Sequence, residues 1–187
     1  MSIEALKARL PEHAKDLRLN LAAIAATPGL TAQQLWGTAL ASAIAARNGE
    51  VIAAVAAEAR PHLDEAAFKA AQAAAAVMAM NNVYYRFTHL VTNKDYAAMP
   101  ARLRMGVIAN PGVPKLDFEL WSLAVSAING CGACMDAHER EVLAKGAGKE
   151  AVQNVVRIAA IIHAAAVALD AVEALDSAAA APAPAVA

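Results

Sequence analysis

The chain has 187 residues, of which 59% are hydrophobic but only 4% aromatic, because alanine supplies much of the apolar content. Alanine is the best helix former and strand-forming residues are sparse, so the composition predicts an all-α fold. With 16 basic and 17 acidic residues and no basic run, the chain has no electrostatic footprint for nucleic-acid binding.

The apolar segments and the N-terminus suggest no export and no membrane partner. Residues 1–4 lack the basic region and apolar run of a secretory signal. The longest apolar stretches, 73–80 and 158–169, are shorter than the roughly 20 residues that span a bilayer. We therefore expect a cytoplasmic protein, in which two cysteines more often serve chemistry than act as a structural staple.

Helical segments are predicted along almost the whole chain. Pro11 separates two N-terminal segments, and Thr31 is expected to cap a helix that runs from Ala32 to a C-cap pair, Asn48-Gly49. The next helices are predicted at 50–59, 64–80 and 96–103, then from Asp117, from Cys131, and as a final pair over about 148–175. The segment 81–87 either extends the helix before it or forms an exposed bend.

The chain is assigned to one all-helical domain, residues 1–176, followed by a tail, 177–187, that we expect to be disordered. A weak internal repeat divides the domain, because Leu35-Trp36 recurs 85 residues later as Leu120-Trp121. The chain is therefore interpreted as two related alanine-rich helical halves. Only the second half, 115–176, carries the cysteines.

Reactive side chains concentrate in the segment from Cys131 to His138. Cysteines three residues apart at a helix start can close a disulfide, and the helix N-terminus stabilises a thiolate there. His138 lies on the same helical face as Cys134 and can take its proton. If the chain reverses at Asn129-Gly130, Glu119 comes close to these residues, which gives the relay order Glu119, His138, Cys134.

Other interpretations of these residues stay open. Cys131, Cys134 and His138 supply three possible zinc ligands, with His163 as a fourth, which would make the protein a zinc-stabilised interaction module. His163 is otherwise expected to be a core histidine, and Glu119 a solvated or core-paired carboxylate. The remaining histidines are expected at the surface: His13, His62 and His89.

Several segments resemble the alkyl hydroperoxide reductase D family. The similarity to its catalytic region lies in Phe118–Ser122, Ala124–Cys131, Cys134 and Ala137–Glu139. Leu35–Thr38, Met80–Arg86 and Ile108–Gly112 are also similar to these proteins. The resemblance covers nearly the whole chain except the tail.

This resemblance implies an all-helical fold of the carboxymuconolactone decarboxylase-like superfamily and a homotrimer. It implies an enzyme that reduces a peroxiredoxin (alkyl hydroperoxide reductase C) with electrons from the dihydrolipoyl groups of a lipoylated acyltransferase or carrier. A weaker activity of its own on organic hydroperoxides is also implied, without a tightly bound cofactor or metal. A decarboxylase-like enzyme acting on a small lactone is the alternative, although that chemistry needs no dithiol.

The resemblance also implies a role for each site residue. Cys134 forms the sulfenic acid, and Cys131 is the proton donor, the resolving thiol and the sulfur that forms a mixed disulfide with the partner. Glu119 and His138 relay protons. From its place near the helix tip, we expect Cys131 to be the more exposed sulfur. Some relatives carry a histidine immediately before the second cysteine, where this chain has Ala133.

Overall fold

The computed structural model describes residues 2–180. This part of the chain contains ten α-helices and no strand. The helices are α1 (Ile3–Arg9), α2 (Lys15–Ala23), α3 (Ala32–Ala46), α4 (Gly49–Ala59), α5 (Glu65–Leu90), α6 (Asp95–Ala98), α7 (Gly106–Ala109), α8 (Lys115–Ile128), α9 (Gly132–Ala144) and α10 (Lys149–Ala180). The predicted all-α class is confirmed.

Side-chain caps set the starts of the central helices. Thr31 and Gln34 form a reciprocal capping box at the start of α3, as the sequence predicts. The prediction that Asn48-Gly49 ends this helix is wrong. Arg47 ends it in a left-handed conformation, and the side-chain oxygen of Asn48 accepts a hydrogen bond from the N–H of Val51, which starts α4. The two helices are therefore joined by a two-residue connection.

Three helices differ in their bounds from the predictions. The helix predicted at 64–80 continues to Leu90, so the ambiguous segment 81–87 is helical. The helix predicted at 96–103 is wrong, because only 95–98 are helical and the residue before Pro100 is extended. The pair predicted over 148–175 is one continuous helix, α10, which contains no helix-breaking residue.

The last helix also corrects the boundary of the expected tail. Residues 177–180 continue α10, since a serine and three alanines follow the helix without a breaker. Residues 181–187 lie outside the described part of the chain. By length and composition α10 could cross a membrane. One of its faces, however, is buried against α3 and α8 through Val155, Ile158 and Ile162, as in the core helix of a globular domain.

The core is built around α3 and α8, which pack against each other. Each of them also contacts both long helices, α5 and α10. Leu35 and Trp36 lie on α3, and Leu120 and Trp121 lie on α8. The division into two related halves stays a prediction. The cysteine segment lies where α8 turns into α9, beside the second half of α5.

Candidate functional site

A tight helix ending positions the first cysteine. Gly130 adopts a left-handed conformation after α8, with φ of 66°. Its N–H bonds the carbonyl of Ala127, and the N–H of Cys131 bonds the carbonyl of Ser126, which together form a Schellman motif. The chain therefore reverses at Asn129-Gly130, as the relay hypothesis requires. Cys131 becomes the N-cap residue of α9.

A polar network from α5 supports this turn. Asn82 donates a 2.9 Å hydrogen bond to the Ser126 hydroxyl and accepts one of 2.9 Å from the Asn129 side chain. Arg86 donates to the Asn129 carbonyl at 2.8 Å. Sequence reasoning missed this function of the segment 81–87. The signal in the sequence was the spacing of Asn82 and Arg86, which lie four residues apart and therefore on one helical face.

The two cysteines are joined by a disulfide in this structure, with Cα atoms 5.3 Å apart. That separation lies within the range of ordinary disulfides. Cys131 is completely buried, whereas Cys134 is 6% exposed and lines a pocket. The expectation that Cys131 is the more exposed sulfur is therefore wrong for this state, because the Schellman turn folds it back against α8.

Glu119 and His138 meet across the antiparallel pair α8 and α9. The Nδ1 atom of His138 lies 2.6 Å from Oε2 of Glu119, and both side chains are buried. Lys115, one helical turn before Glu119, places its Nζ 3.3 Å from the other carboxylate oxygen. The same Nζ donates to the backbone carbonyl of Ile108. Glu119 is thus a paired core carboxylate and not a solvated one.

Opposing effects determine the charge of Glu119. Burial acts to raise the pKa of its carboxyl, but the hydrogen bond and charge of His138, followed by those of Lys115, lower it more. The pKa is therefore held below the usual glutamate value, and the group is ionised at neutral pH. An ionised carboxylate only accepts, so the Nδ1 atom of His138 carries the proton between them.

The second ring nitrogen of His138 faces sulfur. Nε2 lies 3.2 Å from the thioether sulfur of Met78. Within residues 2–180, no hydrogen bond joins His138 to either cysteine of the disulfide. The link from Glu119 to His138 is therefore present in this oxidised state. The link from His138 to Cys134 stays a prediction.

A pocket of about 270 Å³ opens beside Cys134 and His138. Its remaining wall consists of Met78, Asn81, Tyr85, Met105, Ile108, Ala133 and Ala137. Most of these side chains are apolar, and Ala133 is one of them. Such a site suits a small molecule that combines an apolar body with a polar reacting group.

The geometry of the described residues does not support the alternative of a zinc site. The described residues contain no group of three or more His, Cys, Asp or Glu side chains arranged to hold a metal. His163, the proposed fourth ligand, is exposed and lines a different pocket with Ala127 and Ile128. The expectation that it is a core histidine is wrong, because α10 turns the neighbouring Ile162 to the core instead. The other three histidines are exposed, as predicted.

Comparison with known proteins gives consistent matches. The profile of the carboxymuconolactone decarboxylase family matches residues 94–177. A protein of Rhodospirillum centenum named alkyl hydroperoxide reductase AhpD is 62% identical over 176 residues, which cover 94% of this chain and 95% of the relative. Proteins of the same name from Rhodopseudomonas palustris and Brucella canis are 60% and 57% identical, covering 91% and 92% of this chain and 94% and 99% of the relatives.

Proposed function

Since this chain belongs to the AhpD alkyl hydroperoxide reductases of the carboxymuconolactone decarboxylase family, we propose that it is a peroxide-reducing dithiol enzyme working through Cys131 and Cys134. The observation that carries the proposal is the placement of the disulfide beside a pocket that also contains the His138 of a buried Glu119–His138 pair. The alternative function, decarboxylation of a lactone, accounts neither for the disulfide nor for the similarity to proteins named alkyl hydroperoxide reductase.

The first step oxidises Cys134, the sulfur that faces the pocket. His138 takes the proton of the Cys134 thiol, and the ionised Glu119 stabilises the resulting imidazolium. The thiolate attacks the terminal oxygen of the hydroperoxide. An S–O bond forms while the O–O bond breaks, sulfur loses two electrons, and the alkoxide leaves with the proton of the Cys131 thiol. Cys134 is then a sulfenic acid.

The second step closes the disulfide seen in this structure. The Cys131 thiolate attacks the sulfenic sulfur, and hydroxide leaves as water after taking the proton stored on His138. The sum is one hydroperoxide and two thiols converted into an alcohol, water and a disulfide. Two electrons from a dithiol must then restore the thiols.

We propose a dihydrolipoyl group on an acyltransferase or carrier protein as that dithiol, and a peroxiredoxin of the alkyl hydroperoxide reductase C class as the partner that receives electrons. In this scheme Cys131 forms the mixed disulfide with the peroxiredoxin. Because Cys131 is completely buried in the oxidised state, the first turn of α9 must open, or the reduced state must present the thiol, before a partner reaches it. We also propose that the enzyme is cytoplasmic.

A homotrimer is also proposed. Its support in the structure is a row of exposed apolar side chains on the last turns of α5, Val83, Phe87 and Leu90. These residues follow one another at helical spacing on one face. Soluble monomers rarely leave such patches uncovered.

Reconstitution with a lipoylated carrier, its dehydrogenase, a peroxiredoxin and cumene hydroperoxide tests the proposed electron path. We expect electrons to reach the peroxide only when this protein is present. Cys134→Ser is expected to abolish peroxide consumption and to leave no sulfenic acid. Cys131→Ser is expected to consume one equivalent and stop, because nothing resolves the sulfenic acid on Cys134.

Mass spectrometry after treatment with a sulfenic-acid trap distinguishes the two cysteines. A label on Cys131 in the Cys134→Ser protein, with none in the other variant, would reverse the assigned roles. Two free thiols that persist through full turnover would rule out the dithiol mechanism.

A further inference from the structure

A buried amide in the pocket wall has an unpaired oxygen within the described part of the chain. Asn81 is 4% exposed, lies on α5 and lines the pocket with Cys134 and His138. Its side-chain oxygen, Oδ1, has no hydrogen-bond partner among residues 2–180. The adjacent Asn82, by contrast, bonds both Ser126 and Asn129. Buried polar atoms in native proteins nearly always have a partner, so an unpaired one on a residue that lines a pocket points to a ligand.

The surroundings of Asn81 define the kind of ligand. The pocket volume of about 270 Å³ lies just below the range typical of small-molecule sites, so the ligand is small. Met78, Met105 and Ile108 offer it apolar walls. His138 already uses its Nδ1 atom on Glu119. In the proposed mechanism Nε2 of His138 takes the proton of the Cys134 thiol. The side-chain oxygen of Asn81 is the other unpaired buried acceptor among the residues that line the pocket, and it is available to a ligand with one O–H group.

We propose that Asn81 anchors the hydroperoxide group of a small organic hydroperoxide in this pocket, with the alkyl part of the substrate lying against Met78, Met105 and Ile108. This assignment rests on the proposed function and adds the residue that orients the substrate. The terminal oxygen of a hydroperoxide carries its single O–H group, which donates a hydrogen bond to the Asn81 oxygen. The Cys134 thiolate attacks this terminal oxygen of the hydroperoxide.

The hydrogen bond to Asn81 can form both before and after the oxidation step. As the S–O bond forms and the O–O bond breaks, the terminal oxygen keeps its hydrogen and becomes the hydroxyl of the Cys134 sulfenic acid. The electron pair of the broken bond leaves with the alkoxide. The hydrogen bond to Asn81 is therefore retained from bound substrate to sulfenic acid, and no proton passes through the amide. Asn81 is a binding residue and not an acid or a base.

A binding experiment on the unreactive disulfide form tests the anchor without turnover. The probes are 2-phenyl-2-propanol, which is the alcohol formed from cumene hydroperoxide, and cumene, which has nearly the same shape without the hydroxyl. We expect Asn81→Leu to weaken binding of the alcohol roughly two- to tenfold, the effect of one hydrogen bond. Binding of cumene is expected to stay the same or to tighten. Equal affinity of parent and variant for the alcohol, or no binding by the parent, overturns the proposal.

Stability separates an anchor from a structural residue. Because the Asn81 oxygen has no partner in the fold, Asn81→Leu is expected to unfold at the same temperature as the parent or higher. Asn82→Leu is the matched control, since it removes one buried and one partly buried hydrogen bond and is expected to lower the unfolding temperature clearly. A comparable loss of stability in Asn81→Leu would mark Asn81 as structural and contradict the proposal.

Kinetics of the reduced protein distinguish failure of the anchor from failure of the function. We expect Asn81→Leu to raise KM for cumene hydroperoxide, while reduction of its disulfide by dithiothreitol proceeds at the parental rate. An unchanged KM would overturn the anchor and leave the peroxidase function intact. If the parent itself consumes no hydroperoxide, the proposed function fails, and the alcohol titration still decides whether Asn81 binds an O–H group.

Discussion

At the scale of single residues, Lys115 contacts both the Glu119 carboxylate and a residue of the pocket wall, Ile108. Its ammonium group contacts the Glu119 carboxylate and also holds the backbone carbonyl of Ile108, whose side chain lines the pocket. Both the hydrogen bond and the charge of Lys115 lower the pKa of Glu119. Removal of this side chain should therefore change how the site responds to acid.

Lys115→Met is expected to raise the pKa of Glu119, because burial is then opposed by His138 alone. A carboxyl whose pKa is depressed in the folded state contributes stability above the usual pKa, and this contribution is lost as the pH falls through the depressed value. In the variant the contribution at neutral pH is smaller, and its loss is complete at a higher pH. The acid limb of the peroxidase profile is expected to move in the same direction.

Unfolding temperatures and peroxide-consumption rates, measured from neutral to acid pH, check this prediction. Lys145→Met is the matched control, since Lys145 makes the same i, i+4 contact with Glu141 at the surface of α9. The control is expected to keep the parental profile. Superimposable acid limbs for Lys115→Met and the parent would mean that Lys115 does not influence Glu119.

At the scale of secondary-structure elements, the close crossing of α3 and α8 depends on a missing side chain. A Cβ atom placed on Gly37 would lie 2.2 Å from Cε2 of Trp121, well inside contact distance. The indole of Trp121 is fully buried and donates a 3.2 Å hydrogen bond to the Gln34 carbonyl of α3. The ring therefore cannot move aside without losing that bond. Glu119 lies on α8 only two residues before this tryptophan.

Gly37→Ala is expected to destabilise the protein by about 1–3 kcal/mol or more, the usual effect of overpacking a core, although alanine favours helices. Gly49→Ala is the matched control, because Gly49 is also helical and nothing lies within 4 Å of the added Cβ. The control is expected to be neutral or to gain up to about 1 kcal/mol. Denaturant unfolding measures both values. An equally stable Gly37→Ala protein would show that α3 and α8 separate easily.

At the scale of the whole molecule, the exposed apolar row on α5 is the surface that we propose as the trimer interface. Val83, Phe87 and Leu90 are between 48% and 70% exposed. Tyr96 of α6 packs its ring beside Phe87, at 5.3 Å between ring centroids, and extends the row. Arg86 lies within the same stretch and holds the turn that precedes Cys131. The proposed interface and the site therefore share one helix.

Replacement of both Phe87 and Leu90 by glutamate is expected to dissociate the trimer into monomers, because charges cannot be buried in an apolar contact without partners. Leu19→Glu is the control, since Leu19 is equally exposed on α2, away from the row. Light scattering on eluted peaks gives the masses. A parent that is monomeric across micromolar concentrations would contradict the trimer, and a trimeric double variant would place the interface elsewhere.

Local sequence pattern determined much of this protein. The all-α class follows from alanine propensity, and the Thr31 cap from the residue types at one helix start. The approach of Glu119 to His138 follows from two helical spacings and a turn at Asn129-Gly130, so it was predictable once the chain was assumed to reverse there. These features depend on interactions between residues that are close in sequence.

The tertiary structure alone decided which groups face the pocket. Cys131 and Cys134 are nearly equivalent in a local pattern, and only the packing of α9 against α8 buries the first and leaves the second in the pocket wall. Likewise Asn81 and Asn82 are adjacent in sequence, yet one borders the pocket and the other supports a turn more than 40 residues away. Burial depends on distant elements that cover a residue, and helical periodicity carries no information about which elements those are.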